Sequence, residues 1–426
     1  MNLADNQEDS FAELCSLFEE LSSDSDAFFK LDAFTIRKLC TKKGLNSPSW
    51  FNGIVRGLEK THDKMQFKKM WLSLSEHAEM ASHYKMSLAR AKIIAKTLTH
   101  IEQFHFPTCG IGLDALNWLS SEQLNISSDS IFTISDIDPL ISRCANYNFS
   151  KYFPDKTKVL CHDILDPLPI DLNHIHSYCF ADPSRRKDGA KFSRGEYQPE
   201  LPALITKLEQ YTTAQIKLSA SENIDELVEQ YPNWHWSINA LARDIKEIFG
   251  TRQKNGIENF ENTKSMIISD KDSENTFHAS CEQMGYLPTT RNFEKYIYLP
   301  HPALICAKLS DSWIKKHNYP FKRNDIFYTS DQSIKAALFD GYETIDQCAL
   351  RPKSLKKLIQ PFSDHNIEII NPGKALIKTD IKTLEQCLPK KKAKQKALKL
   401  IPIYEGKKAQ CFLLRQLSFC DPHYIA

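Results

Sequence analysis

Between Ser10 and about His100, apolar residues recur three or four positions apart in FAELCSLFEELSS, FTIRKLCTKKG, WFNGIVRGLEK and MASHYKMSLARAKIIAKTL. That spacing puts them on one face of a helix, so the pattern predicts an all-α N-terminal region. From Glu102 the period changes. Short β-branched or aromatic runs (QFHF, SIFTISD, KVLC, HSYCFAD, AQIKLS, WHWSINA and SMIISD) now alternate with helical stretches. Such alternation predicts an α/β unit built on a doubly wound parallel sheet. Beyond Phe277 the signals mix, as α+β, through YIYLPHPALICAKL and KALIKT to KLIPIYE and GKKAQCFLLRQ, a pair that reads as a hairpin turning at EGKK. The divisions expected from these changes are 1–98, 99–276, 277–340 and 341–426.

Composition narrows the setting. At 426 residues the chain exceeds the usual single-domain size, and 42% hydrophobic with 25% charged residues is the balance of a globular protein. No run approaches the ~18 apolar residues of a membrane span. The stretch MNLADNQEDS lacks the basic and apolar regions of a secretory signal, so a cytoplasmic location is expected. The twelve cysteines form no CxxC pair and have no histidines at zinc-site spacing, which predicts reduced packing residues and no metal site. A net charge of +2 hides a polarity: residues 1–30 carry eight acids against Lys30 alone, whereas RPKSLKK (351–357) and PKKKAKQKALK (389–399) are basic. These segments suit phosphate, or form an ordinary solvated face.

The candidate chemistry begins at PTCGIGLDAL, where the first strand should turn into a helix. With only 13 glycines in the chain, Gly110 and Gly112 within three residues suggest a turn whose backbone approaches a ligand, or one needed for close helix–strand packing. The next strand ends in ISDIDP. An acid about two dozen residues past the glycines can accept hydrogen bonds from ribose hydroxyls. Asp136 and Asp138 share a strand face and Asp136 is favoured; the alternative makes them turn and N-cap residues before Pro139. The third strand, KVLCHDIL, ends in Asp163, placed to receive an adenine amine, and the fourth, HSYCFADPSRR, ends in Asp182 and Pro183.

Taken in order, TCGIGLD, SDID, CHDI and ADPSRR resemble the cofactor and transfer motifs of class I S-adenosylmethionine-dependent methyltransferases. More closely, the chain resembles the bacterial methyltransferase-like proteins with a C-terminal THUMP-like domain. Those have a similar DPxRR stretch, an upstream helix like EMASHYKMSL, a fifth strand like IKLS, and YLPHPAL followed by YTSD. The resemblance covers about Glu76 onward. It implies a Rossmann-like methyltransferase domain at 99–276, a helical domain at 1–98, a small ferredoxin-like connecting domain at 277–340 and a THUMP-like domain at 341–426. It also implies S-adenosylmethionine as cofactor, with Thr108, Cys109, Gly110, Gly112, Asp114, Asp136, Asp138 and Asp163 around it, and RNA, ribosomal or transfer, as partner. Where many such enzymes carry an acid near the methionyl amine, this sequence has Phe106, and Asp114 is the candidate replacement.

At the transfer site Asp182 and Pro183 are the catalytic candidates, Asp182 to accept a hydrogen bond or proton from the acceptor. Enzymes that methylate base amino groups usually follow Asp-Pro with another Pro and a stacking aromatic, and DPSRR lacks that aromatic. Arg185, Arg186 and Lys191 instead form a basic loop suited to phosphate or carboxylate, or to salt bridges with neighbouring acids. Cys179 is expected to pack in the sheet. Two further readings stay open: a small-molecule or protein methyltransferase, and a non-catalytic RNA-binding protein that keeps the fold.

Overall fold

The structure, a computed structural model, describes residues 11–17, 19–20, 33–42, 51–64, 70–95, 101–121, 124, 126–167, 176–187, 190–191, 196–254, 263–269, 276–282, 285–370, 378–388, 397–405 and 408–417. The chain divides into two compact units, one mostly before Leu241 and one mostly after Phe277.

The first unit is built on parallel strands. β1 (Gln103–Phe106), β2 (Ile131–Asp136), β3 (Thr157–Cys161) and β4 (Ser177–Ala181) are followed by a two-residue ribbon, β5 (Arg186–Lys187) with β6 (Ala190–Lys191), and then by β7 (Thr213–Ser219), β8 (His235–Leu241) and β9 (Asp244–Gln253). Within this unit the strands run in the order β8-β9-β7-β4-β1-β2-β3. β1 is central and pairs in parallel with β2 and β4, while β2–β3 and β4–β7 are parallel too. β9 is antiparallel to β7, so the sheet is parallel-rich rather than wholly parallel. Every residue of β4 and β7 is buried, as expected of strands covered on both faces. Phe104 and Phe132 stack at 4.5 Å beside Phe106, Tyr178 and Trp118, an aromatic core under the strand ends.

The helical N-terminal region appears as Ala33–Lys42, Phe51–Lys64, Ser75–Met80 and Tyr84–Ala95. EMASHYKMSL reads from its period as one helix, but the chain breaks there. Ala81 is extended (φ −56°, ψ 143°), and the His83 ring accepts the Lys85 N–H at 3.3 Å, a local cap that starts a new helix. Trp71 ties this region to the glycine turn: its indole N–H donates to the Ile111 carbonyl at 2.6 Å, and its ring meets Phe149 edge-on at 5.0 Å.

The later strands are β10 (Thr263–Ser269), β11 (Thr276–Glu282), β12 (Tyr296–Pro300), β13 (Lys322–Asn324), β14 (Phe327–Ser330), β15 (Phe339–Ala349), β16 (Ile367–Ile369), β17 (Leu398–Glu405) and β18 (Lys408–Gln416). Seven of them form the second unit's mostly antiparallel sheet, ordered β13-β14-β12-β15-β18-β17-β16. β15 runs through position 340/341, so one sheet takes strands from both sides of that expected division. The β17–β18 hairpin forms with Glu405 opposite Lys408. Both faces of β17 are buried, Leu398 and Leu400 toward helix Pro352–Ile359 and Ile401 and Ile403 toward Phe327 and Phe412. No helix among the described residues is long and apolar enough to cross a membrane. Most of PKKKAKQKALK and of the acidic stretch at 1–30 lies outside the described residues.

Candidate functional site

The C-terminal ends of β1, β2, β3, β4 and β7 surround a cavity of about 500 Å³, a size suited to a nucleoside-like ligand. Ligand crevices of open α/β sheets lie at such strand ends.

At the end of β1 the chain reverses through Thr108 (φ 52°), Gly110 (φ 53°) and Gly112 (φ 75°). Left-handed backbone is costly for a β-branched residue, and Thr108 is held there by its contacts: its hydroxyl donates to the Pro107 carbonyl at 2.6 Å and accepts the Asp182 N–H at 3.0 Å. The Cys109 N–H bonds the Ser135 carbonyl at 3.0 Å. Thr108, Cys109, Gly110 and Asp114 line the cavity. Gly112 is not a lining residue; a Cβ there would lie 2.5 Å from the Phe149 ring. A glycine is therefore required there by close packing of the turn against helix Pro139–Tyr152, which carries Phe149, and not against a strand.

Asp136 stands at the end of β2, 8% exposed. Its Oδ2 accepts the Gly110 N–H at 3.0 Å and its Oδ1 the Asp138 N–H at 3.1 Å. Each oxygen keeps a lone pair for a ligand hydroxyl. Burial raises its pKa, opposed by the two backbone hydrogen bonds and the nearby His77. Asp138 lines the cavity but caps helix Pro139–Tyr152, accepting from Leu140 N at 2.8 Å and Ile141 N at 3.1 Å. Past β3, Asp163 lines the cavity and turns its Oδ1 to the Leu165 N–H at 2.9 Å.

At the opposite edge, Asp182 and Pro183 follow β4. Lys217, next in register on β7, lies with Nζ 2.5 Å from Asp182 Oδ2. Burial raises the Asp182 pKa and Lys217 opposes the rise. Arg185 lines the cavity and donates to Ser219 Oγ at 2.9 Å. Arg186 pairs with Lys191 in the β5–β6 ribbon, whose side chains lie outside the described residues. Two hydrogen bonds between Ser184 and Gln198, of 3.0 and 2.9 Å, close the base of this excursion.

This architecture recurs in a solved structure. A protein from Porphyromonas gingivalis W83, described as a "putative methyltransferase", matches with a TM-score of 0.70 at 16% identity, over 96% of this chain and 99% of that one. The two proteins share a fold. Partial likenesses are a class I S-adenosylmethionine-dependent methyltransferase from Listeria monocytogenes, also described as "putative" (13% identity, 57% of this chain and 75% of that one, TM-score 0.33), and a "putative RNA methyltransferase" from Pyrococcus horikoshii (11%, 42% and 82%, 0.27). No family model and no curated protein matches the sequence.

Sequence reasoning missed several residues here. Lys217 was hidden in a fully buried strand, where only its charge amid apolar neighbours marks it. His77 and His162 also line the cavity. Arg90 is 1% exposed, bonds Asp114 at 2.5 Å and Ser82 at 3.1 Å, pairs with Glu247, and lies 5.0 Å from the Phe180 ring. Its signal was a lone arginine inside the apolar run of ARAKIIA. Phe106 is buried among Phe132, Tyr178 and Phe180 and does not line the cavity. Cys179 is fully buried with its thiol pKa pushed up by burial, so it packs in the sheet.

Proposed function

We propose that the protein is an S-adenosylmethionine-dependent methyltransferase acting on RNA, ribosomal or transfer, with Asp182 and Pro183 at the transfer site. One observation carries the reading: a single cavity joins Gly110, Asp136 and Asp163 on one side to Asp182 and Lys217 on the other. Asp136 would hold the ribose hydroxyls, Asp163 the adenine amine, and the Gly110 turn the backbone beside them. Around Gly110 the space is open: an added Cβ meets nothing nearer than His77 Nδ1 at 3.7 Å. Asp114, paired with Arg90, supplies the carboxylate for the methionyl amine that Phe106 does not provide. The bound cofactor contributes an electrophilic methyl on sulfur; the chain contributes alignment and a proton acceptor.

The RNA assignment is supported by charge. Arg185 stands at the cavity, and in the second unit helix Pro352–Ile359 buries Leu355, Leu358 and Ile359 while exposing Lys353, Lys356 and Lys357 beside Arg351. The helix has no acidic residue, and such a face attracts phosphate. On this reading the second unit is the THUMP-like RNA-holding part, and the divisions at 1–98 and 99–276 separate a helical cover from the methyltransferase domain.

The test is transfer of labelled methyl from S-adenosylmethionine to RNA taken from cells lacking the protein. Label in RNA, lost in Asp182→Ala protein that still binds S-adenosylhomocysteine, is the expected result. Label confined to small molecules or protein contradicts the RNA assignment, and unchanged transfer by Asp182→Ala contradicts the role of Asp182.

A further inference from the structure

The Asp182–Lys217 pair is only half used. Lys217 Nζ bonds Asp182 Oδ2, and no other described residue accepts from it. Asp182 Oδ1 has no partner among the described residues, and both side chains line the cavity. The cavity edge thus presents an anionic acceptor beside a cationic donor. A neutral exocyclic amine does not need this arrangement, since it attacks through its own lone pair and sheds its proton afterwards. A ring nitrogen without hydrogen, such as adenine N1 or guanine N7, becomes cationic on methylation, and the fixed ammonium of Lys217 opposes that charge.

A lactam nitrogen matches on both counts, and resting on the methyltransferase reading above, we propose that the acceptor is such a nitrogen: N1 of guanine or N3 of uracil, with N–H to Asp182 Oδ1 and the adjacent carbonyl oxygen to Lys217 Nζ. The nitrogen's proton passes to Asp182 and the resulting negative charge, delocalised onto the carbonyl oxygen, is held by Lys217. The nitrogen lone pair then forms the N–C bond as the C–S bond breaks, its electron pair remaining on sulfur. A neutral N-methyl lactam and a neutral thioether result, and Asp182 returns its proton to water. Burial, which raises the Asp182 pKa, makes this carboxylate a better base than one in water. The groups acting on it are Lys217, Asp114 and Arg90.

Nucleoside analysis of RNA methylated by the full chain tests this. Labelled 1-methylguanosine or 3-methyluridine is expected. Label in N6-methyladenosine, N4-methylcytidine, 1-methyladenosine, 7-methylguanosine, a 5-methylpyrimidine or a 2′-O-methyl nucleoside overturns the lactam assignment while leaving the RNA methyltransferase intact; no label in RNA overturns both. A second arm compares Lys217→Met with Lys217→Arg. The methionine variant should lose at least a hundredfold in kcat, with its pH–rate profile displaced to higher pH, and the arginine variant should recover most of the rate. A methionine variant with the wild-type rate and profile also overturns the assignment, even if it is less stable.

Discussion

Lys217 Nζ and Asp182 Oδ2 stand 2.5 Å apart across the ends of two neighbouring parallel strands. Each is the other's only charged hydrogen-bond partner among the described residues, which ties the stability of this edge to its chemistry. Removing Lys217 alone, as Lys217→Met, should cost about 1–2 kcal/mol, because a carboxylate in a partly enclosed site loses its counter-charge. Adding Asp182→Asn should recover part of that loss, and urea unfolding of the four proteins of this cycle measures the coupling. Strict additivity would contradict a real ion pair.

The two turn glycines should behave differently. In Gly112→Ala the new Cβ meets the Phe149 ring at 2.5 Å, at φ 75°. Ring and backbone must both move, so a loss of roughly 2–4 kcal/mol is expected. Gly110→Ala meets nothing closer than 3.7 Å and carries only the strain of φ 53°, about 1 kcal/mol. Its effect should appear in cofactor affinity instead. Thermal unfolding and ligand titration of both variants check this, and the reverse order would contradict the packing account.

Arg90 neutralises two acids, Asp114 beside the cavity and the 2%-exposed Glu247. Arg90→Leu should destabilise by about 3–5 kcal/mol, since among the described residues Glu247 would keep only the Asn239 amide at 2.7 Å as side-chain partner. Chemical denaturation measures it; a loss below about 1 kcal/mol would mean that the cluster contributes little.

His105 gives a pH dependence. Its Nδ1 meets Tyr211 Oη at 2.6 Å and its Nε2 Ser135 Oγ at 3.0 Å. Burial first, then His162 and Lys207, depress its pKa from 6.5 to about 3. The unfolded chain therefore binds the proton more readily. The contribution is complete above about pH 6.5 and is lost as pH falls toward 3, up to roughly 5 kcal/mol at ~1.4 kcal/mol per unit. Urea midpoints between pH 7.5 and 4.5 should fall more steeply for the wild type than for His105→Gln; equal slopes would contradict a neutral buried imidazole.

Much of the site was legible because chemistry sits at the ends of strands whose period is visible. QFHF, SIFTISD, KVLC and HSYCFAD became β1 to β4, and the residues just beyond them, Gly110, Asp136, Asp163 and Asp182, came together at one cavity. What failed to show was pairing across space. Asp244–Gln253 returns antiparallel to β7, a partner that a local period does not name. The break at Ala81 was hidden because MASHYKMSL keeps helical spacing on both sides of it. Lys217 and Arg90 lie within apolar runs, and their counter-charges, Asp182 and Glu247, are 35 and 157 residues away. The roles of Gly110 and Gly112 separate only once Phe149 is in place.

The most direct test of the central claim is calorimetric titration of the full chain with S-adenosylhomocysteine, repeated with Asp136→Ala. The account predicts saturable micromolar binding that weakens ten- to a hundredfold in the variant, the ~1.5–3 kcal/mol of a charge-assisted hydrogen bond. No binding at millimolar ligand, or binding indifferent to Asp136, would contradict it.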